Sequence, residues 1–258
     1  MKTVKTRIRI IYRSSFLFAI IIAGFLFTVF FQQGNMPRQS LGAKLTQWWH
    51  KRILKTLDIK LSIHGTPTNS ATLFVANHLS WLDIHLIGSH IPVHFLSKAE
   101  VKDWPVFGWL ASKAGTLYIP RGRKHASAQA NIIMQQTLLD DRHVVLFPEA
   151  TTSNGNIKRF HSRLMQSAID AQCLLQPIAI LYPDSNGNTV HEAVLYVDDT
   201  TFIQSAKNII ATKNLNAELY FLEPIETQNK NRDELARYAE EQVKSLFKET
   251  KYQLTDRA

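Results

Sequence analysis

The chain of 258 residues has a single cysteine, Cys173. One cysteine excludes an intrachain disulfide and a cysteine-rich zinc site. Its setting, AIDAQCLLQPIAI, is that of a small core residue. A G-x-S-x-G turn is absent throughout, which removes the strand-to-helix serine elbow of a lipid hydrolase. Internal repeats and low-complexity stretches are absent too. The body of the chain also lacks net charge. Residues 1–60 carry eleven Lys/Arg and one acid, Asp58, whereas the remainder carries nineteen Lys/Arg against twenty acids. A nucleic-acid enzyme spreads basic residues over its folded domain. Here they gather beside an apolar run, where they favour anionic lipid and not nucleic acid.

That run, FLFAIIIAGFLFTVFF at residues 16–31, has only Thr28 as a polar residue. As a helix it is about 24 Å long, short of the roughly 30 Å hydrocarbon core of a bilayer. The following QQGNMPRQ offers no small-x-small cleavage site for a signal peptidase. Five basic residues precede the run and six follow it by Lys60. The positive-inside rule then puts both flanks on the cytoplasmic face of the inner or plasma membrane, which a helical hairpin or a helix dipping into one leaflet satisfies. In LGAKLTQWWHKRILKTLDI, residues Leu41, Leu45, Trp48, Trp49, Ile53 and Leu57 fall near helical spacing among Lys44, Lys51, Arg52 and Lys55. The pattern is that of an interfacial amphipathic helix; a helix packed on the protein's own core, which shows the same stripe, is the alternative. Gly34 and Pro37 supply the turn between the segments. Residues 1–58 are expected as a membrane-embedded or interfacial hairpin, and 59–258 as one folded domain.

From residue 59 short β-rich runs recur: KLSIHG, TLFVAN, VHFLS, TLYIPR, HVVLFPE, LQPIAILY, AVLYVD and AELYFLEPIE. Helical stretches lie between several of them: SWLDIHLIGS, ASAQANIIMQQTLLDD and SRLMQSAIDAQ. The alternation predicts an α/β fold with a largely parallel mixed sheet flanked by helices, preceded by the N-terminal membrane-associated helical segment. The chain closes with NRDELARYAEEQVKSLFKE, in which Asn231 and Glu234 form a capping box and Leu235, Ala239, Val243 and Leu246 form a buried stripe. Chemistry in such sheets gathers at the carboxyl ends of strands. His78, Arg121 and Glu149 each follow a strand-like run.

In VANHLSWLDIHLI, four residues separate His78 from Asp83. Asp83 can complete a capping box begun by Ser80 and gain from the helix dipole. Side chains in a first helical turn also lean toward the N-terminus, so the carboxylate can meet the His78 ring. A carboxylate on one ring nitrogen fixes the tautomer and raises the basicity of the other, producing a general base. Arg121, in GTLYIPRGRK, suits a phosphate through its planar fork, or forms a surface salt bridge. Glu149, in LFPEATTSNG, is open to a site role or to a helix N-terminus. His85 falls near the opposite side of its helix from Asp83, and no second ligand cluster appears, so no metal is implied.

NHLSWLD, GTLYIPR, FPEATTS and LQPIAI, with SKAEVKDWPVFGWLASKAG between the first two, together resemble the ordered blocks of the glycerolipid acyltransferases, the 1-acylglycerol-3-phosphate (lysophospholipid) acyltransferase family. The resemblance runs from about residue 70 to 182. It implies that 59–258 is an acyltransferase domain with His78 as base and Asp83 as its orienter. It implies that Arg121 and Glu149, with Ala150, Thr151 and Thr152, bind the acceptor. It further implies an acyl-CoA or acyl-ACP co-substrate with no other cofactor, membrane lipids and acyl carrier protein as partners, and a lysolipid acceptor, foremost 1-acylglycerol-3-phosphate giving phosphatidate. A lyso-ornithine-type aminolipid acceptor and a membrane-tethered lipid-binding module are the alternatives. Two positions depart from the blocks. Ala150 stands where glycine is usual, so the turn after Glu149 is expected to avoid positive φ. Thr152 stands where many phosphatidate-making members carry arginine.

Overall fold

The computed structural model describes residues 2–30, 37–119, 126–197 and 199–255. Gly34 and Arg121 therefore lie outside the described residues. Helices α1 (Lys2–Phe30) and α2 (Leu41–Thr56) lead into β1 (Ile59–His64) and β2 (Thr72–Ala76). Next come α3 (Leu82–His90), β3 (Val93–Lys98), a 3-10 turn (Ala99–Asp103), α4 (Phe107–Lys113) and β4 (Leu117–Ile119). The chain continues through α5 (Ala126–Leu139), β5 (His143–Leu146), α6 (Gln166–Asp170), β6 (Leu174–Leu181), α7 (Phe202–Ala211), β7 (Leu215–Phe221) and α8 (Arg232–Thr255).

Seven strands form one sheet in the order β1-β7-β6-β2-β5-β3-β4. Every pairing is parallel except β6 with β7. This is the largely parallel mixed sheet that the alternating runs predict. Thr72–Ala76 is buried at every position, as a central strand covered on both faces requires. Gln176 is the polar exception inside β6, and its amide is fully used. It accepts from the Thr68 amide at 3.0 Å and donates to the Thr66 and Leu222 carbonyls at 3.0 and 2.8 Å. AVLYVD is not a strand. Glu192–Val194 is a 3-10 turn and 195–197 pairs with no strand; Val194 enters the core and the Tyr196 carbonyl serves the Thr152 hydroxyl instead.

The N-terminal helix is longer than its apolar run. It starts at Lys2, so its 29 residues reach about 43 Å, because arginine and lysine propagate a helix well. Val4–Thr28 is long and apolar enough to cross a membrane, and little of it is buried by the protein. A helix of this composition that the protein's own core leaves uncovered makes the chain membrane-associated. Yet α1 is clamped to the body. Arg13 donates to the Ile210 carbonyl at 3.0 Å and to that of Thr212, and pairs with Asp58 at 3.1 Å. Arg9 donates to the Ala211 carbonyl, and the Trp49 indole donates to the Ile20 carbonyl at 2.9 Å.

Helix α2 resolves its two readings by face. Ala43, His50, Ile53 and Leu54 are buried, while Leu41 and Trp48 stay exposed. Ile53, Leu54 and Leu57 belong to the same hydrophobic core as the sheet. The change at residue 58 is therefore a change of element type within one continuous core.

Candidate active site

His78 sits where β2 ends, and its backbone is fixed before its ring is used. The buried Asn77 amide donates to the Ile180 carbonyl at 3.0 Å and accepts from the Ile180 amide at 2.8 Å, tying the end of β2 to β6. The His78 amide donates to Glu149 Oε1 at 2.8 Å. The His78 carbonyl accepts from the Ser153 amide at 2.8 Å. Phe147 stacks on the imidazole with ring centroids 4.1 Å apart. The loop after β5 thus grips His78 on three sides.

The ring then meets Asp83. His78 Nδ1 and Asp83 Oδ2 are 2.8 Å apart. The same oxygen accepts from the Leu79 and Ser80 amides at 2.7 and 2.9 Å. The other oxygen accepts from the Tyr182 hydroxyl at 2.7 Å. Capping and orientation are therefore one arrangement. The Asp83-to-Ser80 half of the capping box is present, while the Ser80 hydroxyl accepts from Leu82 at 3.4 Å and not from the Asp83 amide. Asp83 is fully buried, and its two oxygens accept four hydrogen bonds, one of them from the His78 Nδ1–H. Nε2 then carries the lone pair. It has no protein partner among the described residues, and the side chain is 20% exposed. Tyr182 is fully buried; burial first, then Asp83, pushes its hydroxyl well above the usual tyrosine range, which keeps it a donor.

Burial pushes the Glu149 carboxyl up, opposed by the amides it accepts from. Its second oxygen takes the Lys158 amide at 2.8 Å, so Glu149 braces the 149–158 loop against His78. Ala150 does adopt positive φ, at +58°, contrary to expectation. Its amide closes a turn on the Phe147 carbonyl at 3.2 Å, and a methyl is the smallest side chain that meets the left-handed region's steric cost. Thr151 is exposed, and the half-buried Thr152 donates its hydroxyl to the Tyr196 carbonyl. Beside Ala150 opens a groove of about 990 Å³ whose lining includes Arg159, Arg163 and Arg237 together with Asp233 and Glu240. His85 points elsewhere, its Nδ1 lying 2.8 Å from that of His50. Asn77 and Tyr182 were not visible as site residues in the sequence. Asn77 does precede His78 in the first block, but nothing local marks Tyr182.

A histidine oriented by a buried carboxylate at the end of a parallel strand places an imidazole nitrogen open to a ligand at the carboxyl edge of an α/β sheet. The comparisons name the family. The acyltransferase family's sequence model matches residues 59–181. The lyso-ornithine lipid O-acyltransferase of Pseudomonas aeruginosa is 38% identical over 217 residues, 80% of each chain. A 1-acyl-sn-glycerol-3-phosphate acyltransferase of Neisseria meningitidis is 38% identical over 139 residues, 52% of this chain and 54% of that one. The crystal structure of the 1-acyl-sn-glycerophosphate acyltransferase PlsC from Thermotoga maritima shares the fold, with a TM-score of 0.72 at 20% identity, covering 97% of this chain and 98% of that one. The chain belongs to the acyltransferase family and is an O-acyltransferase of lipid biosynthesis.

Proposed function

We propose that His78 Nε2 takes the proton from a lysolipid hydroxyl as that oxygen attacks the carbonyl of an acyl thioester. The C–S bond then breaks, and the imidazolium returns its proton to the departing sulfur, which leaves as the thiol and restores the neutral base. The carrying observation is the 2.8 Å contact between His78 Nδ1 and the buried Asp83. The donor is acyl-CoA or acyl carrier protein, and the groove beside Ala150 is the room for its carrier. Arg121 reads the acceptor's anionic group, with Thr151 and Thr152 at the rim and Glu149 holding the loop that carries them. Catalysis takes place at the cytoplasmic face, which the basic residues flanking α1 favour.

An amino-acid-headed lysolipid of the lyso-ornithine type is the first acceptor to test. The Pseudomonas relative spans four-fifths of this chain, and Thr152 brings a hydroxyl, already engaged with the Tyr196 carbonyl, in place of a phosphate-binding arginine. Lysophosphatidate is the second reading, favoured by the equal identity of the Neisseria relative over the central blocks. Purified protein is to be assayed with both acceptors and both donors. Folded His78→Ala is expected to lose on the order of 10²-fold or more in kcat; retention of a tenth of the activity overturns the base assignment. Thr152→Arg is expected to depress turnover of the lyso-ornithine lipid and to spare or raise that of lysophosphatidate. The opposite pattern reverses the order of the two readings.

A further inference from the structure

The segment after β3 does something that its sequence does not advertise. Residues 102–107, Lys-Asp-Trp-Pro-Val-Phe, are exposed without a break. Trp104 is 40% exposed, Val106 47% and Phe107 39%; on α7, Phe202 packs on Trp104 and Phe107, and the next residue, Ile203, is 64% exposed. Val106 has φ +63° and ψ −54°, and the Phe107 amide donates to the Pro105 carbonyl at 2.6 Å. That is a strained γ-turn centred on a β-branched residue, a conformation costly to hold on an idle surface. It turns the chain sharply, and the tip is braced behind. The Gly108 amide donates to the Trp104 carbonyl at 2.9 Å, and a Cβ at Gly108 would lie 2.1 Å from the Lys102 carbonyl oxygen.

We propose that this tip, Trp104–Phe107 with Ile203, is a second membrane-inserting element whose partner is the hydrocarbon and interface of the leaflet that α1 contacts; the inference rests on the membrane reading of α1. Three observations carry it. First, the apolar surface is continuous with α1: Trp109 of α4 packs on Phe25 of α1 with ring centroids 4.6 Å apart, and Phe18, Ile22 and Leu26 of α1 are exposed. Second, the tip carries tryptophan, proline and phenylalanine flanked by Lys98, Lys102 and Lys113, against Glu100 and Asp103, the composition of an interfacial anchor. Third, it lies at the catalytic end of the sheet. Strands β2, β5 and β3 run parallel, so the loops leaving β2 and β3 emerge together. Phe202 touches both sides, with ring centroids 5.9 Å from Trp104, 5.7 Å from Phe107 and 5.5 Å from Trp81 of the His78–Asp83 loop. Inserting the tip sets the mouth of the site against the bilayer, where a lysolipid can enter without crossing water.

The test uses the full chain in the Cys173→Ala background, with a nitrobenzoxadiazole fluorophore on Val106→Cys, on Phe18→Cys of α1, or on Asn69→Cys at the opposite end of the sheet. Each is reconstituted with anionic phospholipid vesicles whose chains carry bromine. The expected result is a blue shift and bromine quenching at 106 and 18, with neither at 69. A label at 106 that stays in water while that at 18 is quenched overturns the insertion and leaves the membrane reading standing. Water signals at both positions overturn both. A blue shift at 106 without quenching assigns the residue to a protein contact and overturns the insertion. Quenching at 106 by a brominated lysolipid in detergent alone makes the patch an acceptor-chain subsite, which also overturns it. A second arm uses Val106→Asp with Ile203→Asp. Turnover of vesicle-borne acceptor is expected to fall about tenfold, while turnover of a water-soluble short-chain acceptor is unchanged; equal loss on both substrates counts against insertion.

Discussion

Asp83 accepts four hydrogen bonds with no water exposure, so it is the residue least able to change. Asparagine would present an amide NH₂ to donors on one side or the other, wherever its oxygen turned. Asp83→Asn is therefore expected to lose stability as well as rate, although asparagine and aspartate cap isolated helices about equally. Tyr182→Phe separates support from catalysis. It removes one donor to Oδ1 and leaves the His78 contact intact. A hydrogen bond to a charged group contributes about 1.5–3 kcal/mol, so the variant is expected to unfold at lower denaturant by that amount while losing less than about tenfold in kcat. Denaturation and steady-state kinetics on the same preparation check it. A variant as inactive as His78→Ala would show that the hydroxyl does more than hold the carboxylate. At this scale the sequence was half legible. The five-residue step from His78 to Asp83 is local and visible, whereas the Tyr182 contact closes across 99 residues and the Asn77 clamp across 103.

Helices α2 and α3 meet through two imidazoles. His50 and His85 share one hydrogen bond between Nδ1 atoms at 2.8 Å, walled by Trp49 and Trp81. Burial, and for His50 also its partner, holds both below the usual histidine range, His85 at about 4. In the unfolded chain each titrates at the ordinary value near 6.5. Between that value and about 4 the unfolded state binds protons that the folded state refuses, so stability falls as pH falls through this window. Chemical denaturation at pH 7, 6 and 5 is expected to give a steeper decline for the native chain than for His50→Leu with His85→Leu, which exchanges both partners for apolar groups. Parallel declines would remove the pair as the cause. Elements also explain what the sequence concealed. The central strands were legible because strands buried on both faces read as apolar runs, and α8 because its cap pairs Asn231 with Glu234 at 3.2 Å. Helix α4 escaped because seven residues hold barely two turns around Gly108. Helix α7 was missed as well, although Thr201 and Gln204 form a capping box at its start. AVLYVD has strand composition but no neighbour to pair with, and composition alone cannot supply one.

The whole molecule couples a membrane helix to a catalytic end through fixed contacts rather than a flexible tether. α1 is in contact with the body from Arg9, near the C-terminus of α7, to Phe25, on α4. Those sixteen steps span about 24 Å of helix, so α1 lies along the body and turns its exposed apolar side outward. Arg13 is the central fastening. Its guanidinium is buried and bonds two carbonyls at the end of α7 and Asp58 at the start of β1. Asp58 has φ +59°, so the fastening also secures the turn from α2 into the sheet. Arg13→Ala removes all three bonds, leaving two carbonyls without this donor and Asp58 with the longer contact from the Asn214 amide at 3.4 Å, yet leaves the exposed apolar side chains of α1 untouched. The variant is expected to bind vesicles as tightly as the native chain in a flotation assay. Its turnover of a vesicle-borne acceptor is expected to fall, because the body no longer sits at a set height and angle, whereas turnover of a short-chain soluble acceptor is retained. Arg13→Lys restores one charge pair but not the three-way contact and should recover only part of the loss. Loss of vesicle binding itself would mean that the arginine, and not the apolar face, provides the attachment. Equal loss on soluble acceptor would mean that the fastening supports the fold and not the placement of the site.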